Sequence, residues 1–351
     1  MEIDRPDVDG AVIETNATLV TRRVDITSEA TLWLTSIVLR VYVTPVISAF
    51  GLVTNIINIL VFSRLNLKQG ATATFLVLSI SDGSLCLLGI ISAVFSMLKY
   101  LGPSHLKRTV NVLNVTVLAA CTVPKYASDF STVVIAVVRC CSVAMPLRVR
   151  AVLTVRRQLM LILLLVLTAV AILCYSCTIY KYILVRDPQT NWTHLILTLT
   201  PGFTKKVQIS DQYRGVIFYS SFIAVNICLI ILIYALKQSS QFRIKATGTN
   251  TSEGLTEDKT TRKERQVVRT VVMVSLVFTV CNLPSIALTI LRATVPGFRT
   301  VGYLFRSFDM LFMFVEATGM TSAAINIVVY LYSNSNYRKV FNQIFRPNHK
   351  K

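Results

Sequence analysis

The sequence predicts an all-α membrane protein, a seven-transmembrane helix bundle with a short amphipathic C-terminal helix. Three observations lead there. Of the 351 residues 53% are hydrophobic and only 15% charged, where a soluble domain carries about 25% charged residues. Seven apolar runs, near 34–62, 72–98, 110–141, 158–182, 213–236, 267–291 and 304–332, are each long enough to cross about 30 Å of hydrocarbon as a helix. Lipid offers backbone groups no hydrogen bonds, so helices are the form such runs take. Finally, Tyr337, Val340, Phe341, Ile344 and Phe345 share one helical face, with Arg338 and Lys339 elsewhere, as in a helix lying on the inner membrane surface.

In chain order, residues 1–32 form a polar outer tail with a glycosylation sequon at Asn16, the bundle occupies 33–334, and 335–351 forms the inner helix and tail. The start, Met1-Glu-Ile-Asp, lacks a basic n-region, so the first span is expected to serve as insertion signal. With the tail outside, 20 of the 36 lysines and arginines fall on the inner side, which sets the orientation. Asn191-Trp-Thr193 then lies outside as a second sequon, while Asn250-Thr-Ser252 lies inside and unused. The polar stretch 241–263 is a linker between the fifth and sixth spans. No internal repeat is visible, which weighs against a transporter built from inverted halves.

Composition also excludes functions. The net charge of +19 sits between apolar runs rather than on one soluble face, so it points to membrane lipids and a cytoplasmic partner, not nucleic acid. The eight cysteines lie in or beside spans without zinc or redox spacing and read as buried thiols. His105, His194 and His349 lie in loops or the tail, and no metal cluster or glycine-rich phosphate loop accompanies them. The chain is therefore expected to be no enzyme and to hold no cofactor.

The third span carries Lys125, Asp129 and Arg139 in an otherwise apolar run, and such charges face protein or a water-filled cavity. Cys121, Lys125, Ser128, Thr132, Ile135 and Arg139 recur at helical spacing, forming a polar seam about 27 Å long from outside to inside. As a residue at the inner end of a span, Arg139 needs a partner, water or lipid phosphate.

Motifs along the spans resemble those of rhodopsin-like G-protein-coupled receptors. They are Gly51-Leu-Val-Thr-Asn55, Leu78-Ser-Ile-Ser-Asp82, Arg139 seven residues before Pro146-Leu147, Phe278-x-x-Cys281-Asn282-Leu283-Pro284, Asn326-Ile-Val-Val-Tyr330 and Asn336-Tyr337-Arg338-x-x-Phe341. The divergent arginine triplet and the loop Val295-Pro-Gly-Phe-Arg-Thr-Val-Gly-Tyr303 look most like molluscan chemosensory or neuropeptide-type receptors. Departures are Val138 for an acidic residue, Cys140 for tyrosine, Asn282 for tryptophan, Asn226 for proline and Ile327 for proline. The usual outer disulfide is missing at both ends, near Asn114 and in 186–212, which implies looser outer loops.

The resemblance implies a plasma-membrane receptor, N-terminus outside, activated by an extracellular small molecule or peptide and coupled to a heterotrimeric G-protein. It implies a resting Arg139–Glu264 pair, with Tyr234, Phe278, Pro284 and Tyr330 taking part in activation. It also implies a mid-membrane cluster of Asn55, Asp82, Ser128, Ser322 and Asn326, with Na+ at Asp82 or a hydrogen-bonded network without it. Cys121, Lys125, Arg292 and Glu316 fall at pocket positions, with Arg306 at the rim. A pre-formed Lys125–Glu316 pair is the favoured arrangement, and Asp129 is the other partner within reach of Lys125. Cys121, where amine receptors carry aspartate, argues against a biogenic amine. Two other classes stay open: a seven-span transporter or channel lined by the buried charges, and a decoy that binds without signalling.

Overall fold

The computed structural model describes residues 25–67, 70–144, 154–188, 191–246, 257–299 and 302–345, with side chains described except at 144, 239–246 and 257–265. Among them, seven helices are long and apolar enough to span a membrane: Glu29–Ser63, Gly70–Leu101, Ser104–Val143, Val155–Cys177, Phe203–Gln238, Gln266–Thr294 and Phe305–Ser333. The third packs against the second, fourth, fifth and sixth, and the first against the second and seventh.

Each span is sorted by what lipid cannot satisfy. In the first, Val46, Phe50, Val53, Ile56 and Leu60 face outward, while Ser48, Gly51, Asn55 and Asn58 are buried against neighbouring helices. Small and polar residues inside with aliphatic ones outside is the arrangement by which membrane helices approach closely. Gly51 shows why: a Cβ there would meet Cys86 Sγ at 2.6 Å and the Ala324 Cβ at 3.0 Å.

Two prolines shape the spans that carry the site. Pro45 has no N–H for the Val41 carbonyl, and the first span widens into a π-helical segment, Ile37–Val43, just before it. Pro124 likewise leaves the Ala120 carbonyl without its donor, and the third span breaks at Cys121 between helices Lys107–Ala120 and Thr122–Ala144.

The outer surface departs from expectation in three ways. The fourth helix ends at Cys177, and 180–182 belong to an antiparallel hairpin, β1 Tyr180–Arg186 and β2 Thr193–Leu199. The hairpin is fastened without a disulfide, all eight cysteines being free. Trp192 stacks on His105 at 4.7 Å, the Leu195 N–H donates to Thr109 Oγ1 at 3.1 Å, and the hydroxyls of Tyr182 and Thr116 lie 3.0 Å apart. Asn114, where the cysteine was missed, instead bonds Ser92 at 2.7 Å and Ser96 at 3.2 Å across to the second span. The hairpin thus has three contacts to residues of the third span where the resemblance implied looser loops.

Third, the end of the predicted outer tail is built into the bundle. Ser28 caps the first helix, accepting from Thr31 N–H. Asp25 accepts from the Ser307 hydroxyl and the Arg306 N–H, both at 2.6 Å. Burial pushes the Asp25 carboxyl up, but bonds from Ser307, Thr27 and Arg306 hold it below the ordinary carboxylate range. This tie is therefore intact at neutral pH and lost only as pH falls through that lowered value.

The inner half is held by an aromatic cluster. Phe62, Phe75, Tyr330 and Tyr337 meet with ring centroids 5.0–5.7 Å apart. Tyr337 belongs to the terminal helix Ser335–Phe345, and its hydroxyl donates to Asn58 Oδ1 at 2.5 Å. The amphipathic face expected on the membrane surface is thus fastened into the bundle, with Val340, Phe341 and Ile344 packed alongside. Tyr337→Phe, which strips Asn58 of a donor, is expected to cost about 1–3 kcal/mol, and Tyr337→Ala about 3–5. Thermal unfolding of the detergent-solubilised protein orders the two variants; a Tyr337→Phe midpoint equal to that of wild type would remove the hydrogen bond from the account.

Candidate functional site

Three polar layers follow the third span inward. In the outer layer, Lys125 Nζ bonds Asp129 Oδ1 at 2.6 Å and reaches Asn282 Oδ1 at 3.5 Å. The i,i+4 spacing places ammonium and carboxylate on one face of the helix. Asn282 spends its amide N–H on its own helix, at Phe278 O, 2.8 Å away, leaving its carbonyl to Lys125. Thus Asn282, in the tryptophan's place, links the third and sixth spans by a polar contact.

The predicted Lys125–Glu316 pair is not formed. Glu316 Oε2 accepts from Arg40 Nε at 3.4 Å, and Arg40 also bonds Asp309 at 3.1 and 3.4 Å. Asp309 and Glu316 are seven residues apart, two turns along the seventh helix, so both face the first span. Neither Arg40 nor Asp309 stood out in the sequence. The available signal was an arginine six residues inside the apolar run that begins at 34, unexplained by the motifs. Cys121 is buried at the third-span break, within electrostatic reach of Glu316. Arg292 pairs with Asp211 of the fifth span and Arg306 with Glu29, so these rim cations are paired with acidic residues at the outer end.

In the middle layer, Asp82 accepts from Ser128 at 2.6 Å and from the Asn326 amide at 2.8 Å. Asn55 bonds elsewhere. Its amide bonds Gly51 O and Ala323 O, both at 2.9 Å, tying the first span to the seventh. Ser322 lies beside Cys281 of the sixth span. A sodium ion would draw on the oxygens of Asp82 and Ser128, while Asn326 presents its nitrogen to the carboxylate. As placed, these residues form a hydrogen-bonded network. Among the described residues no group of three His, Cys, Asp or Glu is arranged for a metal.

In the inner layer, Phe278 is buried against Phe222, with ring centroids 6.4 Å apart, and Pro284 lies within the sixth helix between one and two turns outward. Asn226, in place of a fifth-span proline, accepts from Thr279 of the sixth span at 3.2 Å. Tyr330 is fully buried, its hydroxyl without a hydrogen-bond partner among the described residues. Tyr234 is exposed on the outside of the bundle. Arg139 is half-buried at the inner end of the third span. Val138 before it packs with Val134 and Ile162 in an apolar cluster, so the fourth span covers the place of the usual acidic neighbour. The Glu264 side chain and the sequons at Asn16 and Asn250 lie outside the described residues. Asn191 is described and exposed, at φ 61° in the hairpin turn.

Removing one member of a buried pair leaves the other charge uncompensated, at a cost of about 3–5 kcal/mol. Lys125 keeps 30% of its side chain exposed, which puts Asp129→Asn at the low end, about 3 kcal/mol. The double change Lys125→Met with Asp129→Leu is expected to recover most of that loss. A double variant as unstable as the single one, by thermal unfolding, would show that packing rather than charge dominates.

The matches to known proteins agree with this architecture. The profile described as Serpentine type 7TM GPCR chemoreceptor Srw covers residues 42–348. The crystal structure of squid rhodopsin is similar, with a TM-score of 0.61 and 15% identity over 92% of this chain and 87% of that one, a likeness of fold. No curated protein sequence matches the chain significantly. Neither match separates molluscan chemosensory from neuropeptide-type receptors. With seven spans in register and a family profile across most of its length, this multi-pass membrane protein belongs to the Srw family of serpentine seven-transmembrane GPCR chemoreceptors.

Proposed function

We propose that the chain is a plasma-membrane chemoreceptor, N-terminus outside, that converts binding of an extracellular small molecule or peptide into activation of a heterotrimeric G-protein. The observation that supports this most is the contact from Lys125 to Asn282, because it ties the outer half of the third span to the sixth, which carries Pro284 within it. A ligand group that competes for Lys125 or Asp129 changes that contact, and a helix pivots most readily where a proline has removed a bond from its ladder.

The inner end is suited to respond. The buried Tyr330 hydroxyl leaves a hydrogen bond unmade in this state, at a cost of about 1–3 kcal/mol that another arrangement relieves. Arg139 and Glu264 are proposed as the resting latch between the third and sixth spans, and Tyr234 as a residue that turns inward on activation. A transporter reading draws less support, since Asp82, Asp129 and Glu316 are each bonded to protein side chains rather than arrayed along an open path. The decoy reading is favoured by one observation, the apolar packing of Val138 in place of an acidic neighbour to Arg139.

Nucleotide exchange by a co-expressed G-protein tests the proposal. Glu264→Ala is expected to raise ligand-free exchange severalfold, and adding Arg139→Ala to abolish the rise. Exchange that stays at background in wild type and Glu264→Ala, with surface expression confirmed, would favour the decoy. The orientation is tested independently. Endoglycosidase treatment is expected to shift the mobility of wild type, less that of Asn191→Gln, and not that of Asn16→Gln with Asn191→Gln; an unglycosylated wild type would count against the assignment.

A further inference from the structure

The charge cluster between the first and seventh spans does not balance. Arg40 commits Nε, Nη1 and Nη2 to two carboxylates, Glu316 and Asp309, so one guanidinium faces two negative charges. Arg40 and Asp309 are the charges acting most strongly on Glu316. Lys125, Arg292 and Arg306 are engaged by Asp129, Asp211 and Glu29 respectively. Glu316 Oε1 is buried and has no hydrogen-bond partner among the described residues. A carboxylate so placed, one oxygen bonded and one bare, needs a proton or a cation to complete it.

Its position suits a ligand. Glu316 meets Arg40 of the first span and lies within electrostatic reach of Cys121 at the bend of the third, so it stands inside the outer half of the bundle. The π-helical segment carrying Arg40, and the two-turn spacing of Asp309 and Glu316, hold both carboxylates before anything binds. Little ordering is left to do when a partner arrives, which favours affinity. The Lys125–Asp129 pair, by contrast, already sets one positive charge against one negative.

We propose that Arg40, Asp309 and Glu316 form a recognition site for a cationic group of the ligand. The group is a primary ammonium or guanidinium that donates an N–H to Glu316 Oε1. Asp309 supplies the further negative charge, and Arg40 fixes both carboxylates in place. The proposal rests on the chemoreceptor reading above and names the ligand class for it. The rim cations Arg292 and Arg306 do not compete with it, because each is paired with an acidic residue at the outer end. Because an N–H must be donated, a quaternary ammonium of similar shape fits poorly.

The test uses purified full-length receptor in lipid nanodiscs, with thermal unfolding read against added benzylammonium, benzyltrimethylammonium, benzyl alcohol and benzoate. Benzylammonium is expected to raise the midpoint saturably, benzyltrimethylammonium to need roughly tenfold more, and the neutral and anionic analogues to do nothing. Glu316→Gln is expected to weaken the benzylammonium response roughly tenfold or more, and Asp309→Asn severalfold. If Glu316→Gln proves too unstable to titrate, Asp309→Asn carries the comparison. A wild type indifferent to benzylammonium, an equal response to benzyl alcohol, or variants that respond as wild type would each overturn the proposal. No G-protein enters this readout, so its failure leaves the coupling reading standing, while binding without nucleotide exchange would sink the coupling reading alone.

Discussion

The ion pair between Lys125 and Asp129 is the constraint on which the rest of the site depends. Two charges inside a membrane bundle are tolerable only when held against each other and against further polar groups. Here the pair lies on one face of one helix, 2.6 Å apart, so it is complete before the sixth span arrives. Asn282 then docks on it from the sixth span, with its amide N–H already spent. The same logic repeats inward, where Asp82 collects Ser128 and Asn326 and so joins the second, third and seventh spans. The outer and middle layers are each centred on a carboxylate, and each links helices: the Lys125–Asp129 pair joins the third span to the sixth through Asn282, and Asp82 joins the second to the third and seventh.

The departures from rhodopsin-like motifs become intelligible in this frame. A tryptophan at 282 would fill space but could not accept from Lys125; asparagine can, and the ion pair and the amide belong together. Ile327, where proline is usual, restores a backbone donor, and the seventh helix runs unbroken from Phe305 to Ser333 with Ile327 buried in the inner core. Val138 completes an apolar contact with the fourth span. The outer loop follows the same pattern, a ring stack and hydroxyl contacts standing where a disulfide is usual.

Much of this was legible in the sequence. The seven spans follow from apolar length alone, and Asp82 with Ser128 and Asn326 follow from motif positions. Partner choice was not legible. Spacing along one helix says which residues share a face, but which faces meet depends on the rotation and wide turns of each helix. Hence the sequence favours Lys125 with Glu316 although Asp129 lies four residues away, and nothing in it singles out Arg40, which the structure places against Glu316. The hairpin was hidden for another reason. Tyr180–Arg186 continues the apolar fourth run without a break in composition, so length alone could not separate strand from helix.

The central claim is that the Lys125–Asp129–Asn282 contact restrains the sixth span from the outer half of the third. Pulsed electron resonance between labels on introduced click-reactive residues, at the inner ends of the third and sixth spans, measures that restraint directly. With Lys125→Met the account predicts a longer and broader distance distribution than in wild type. An unchanged distribution, in a variant that folds and reaches the surface, would contradict it.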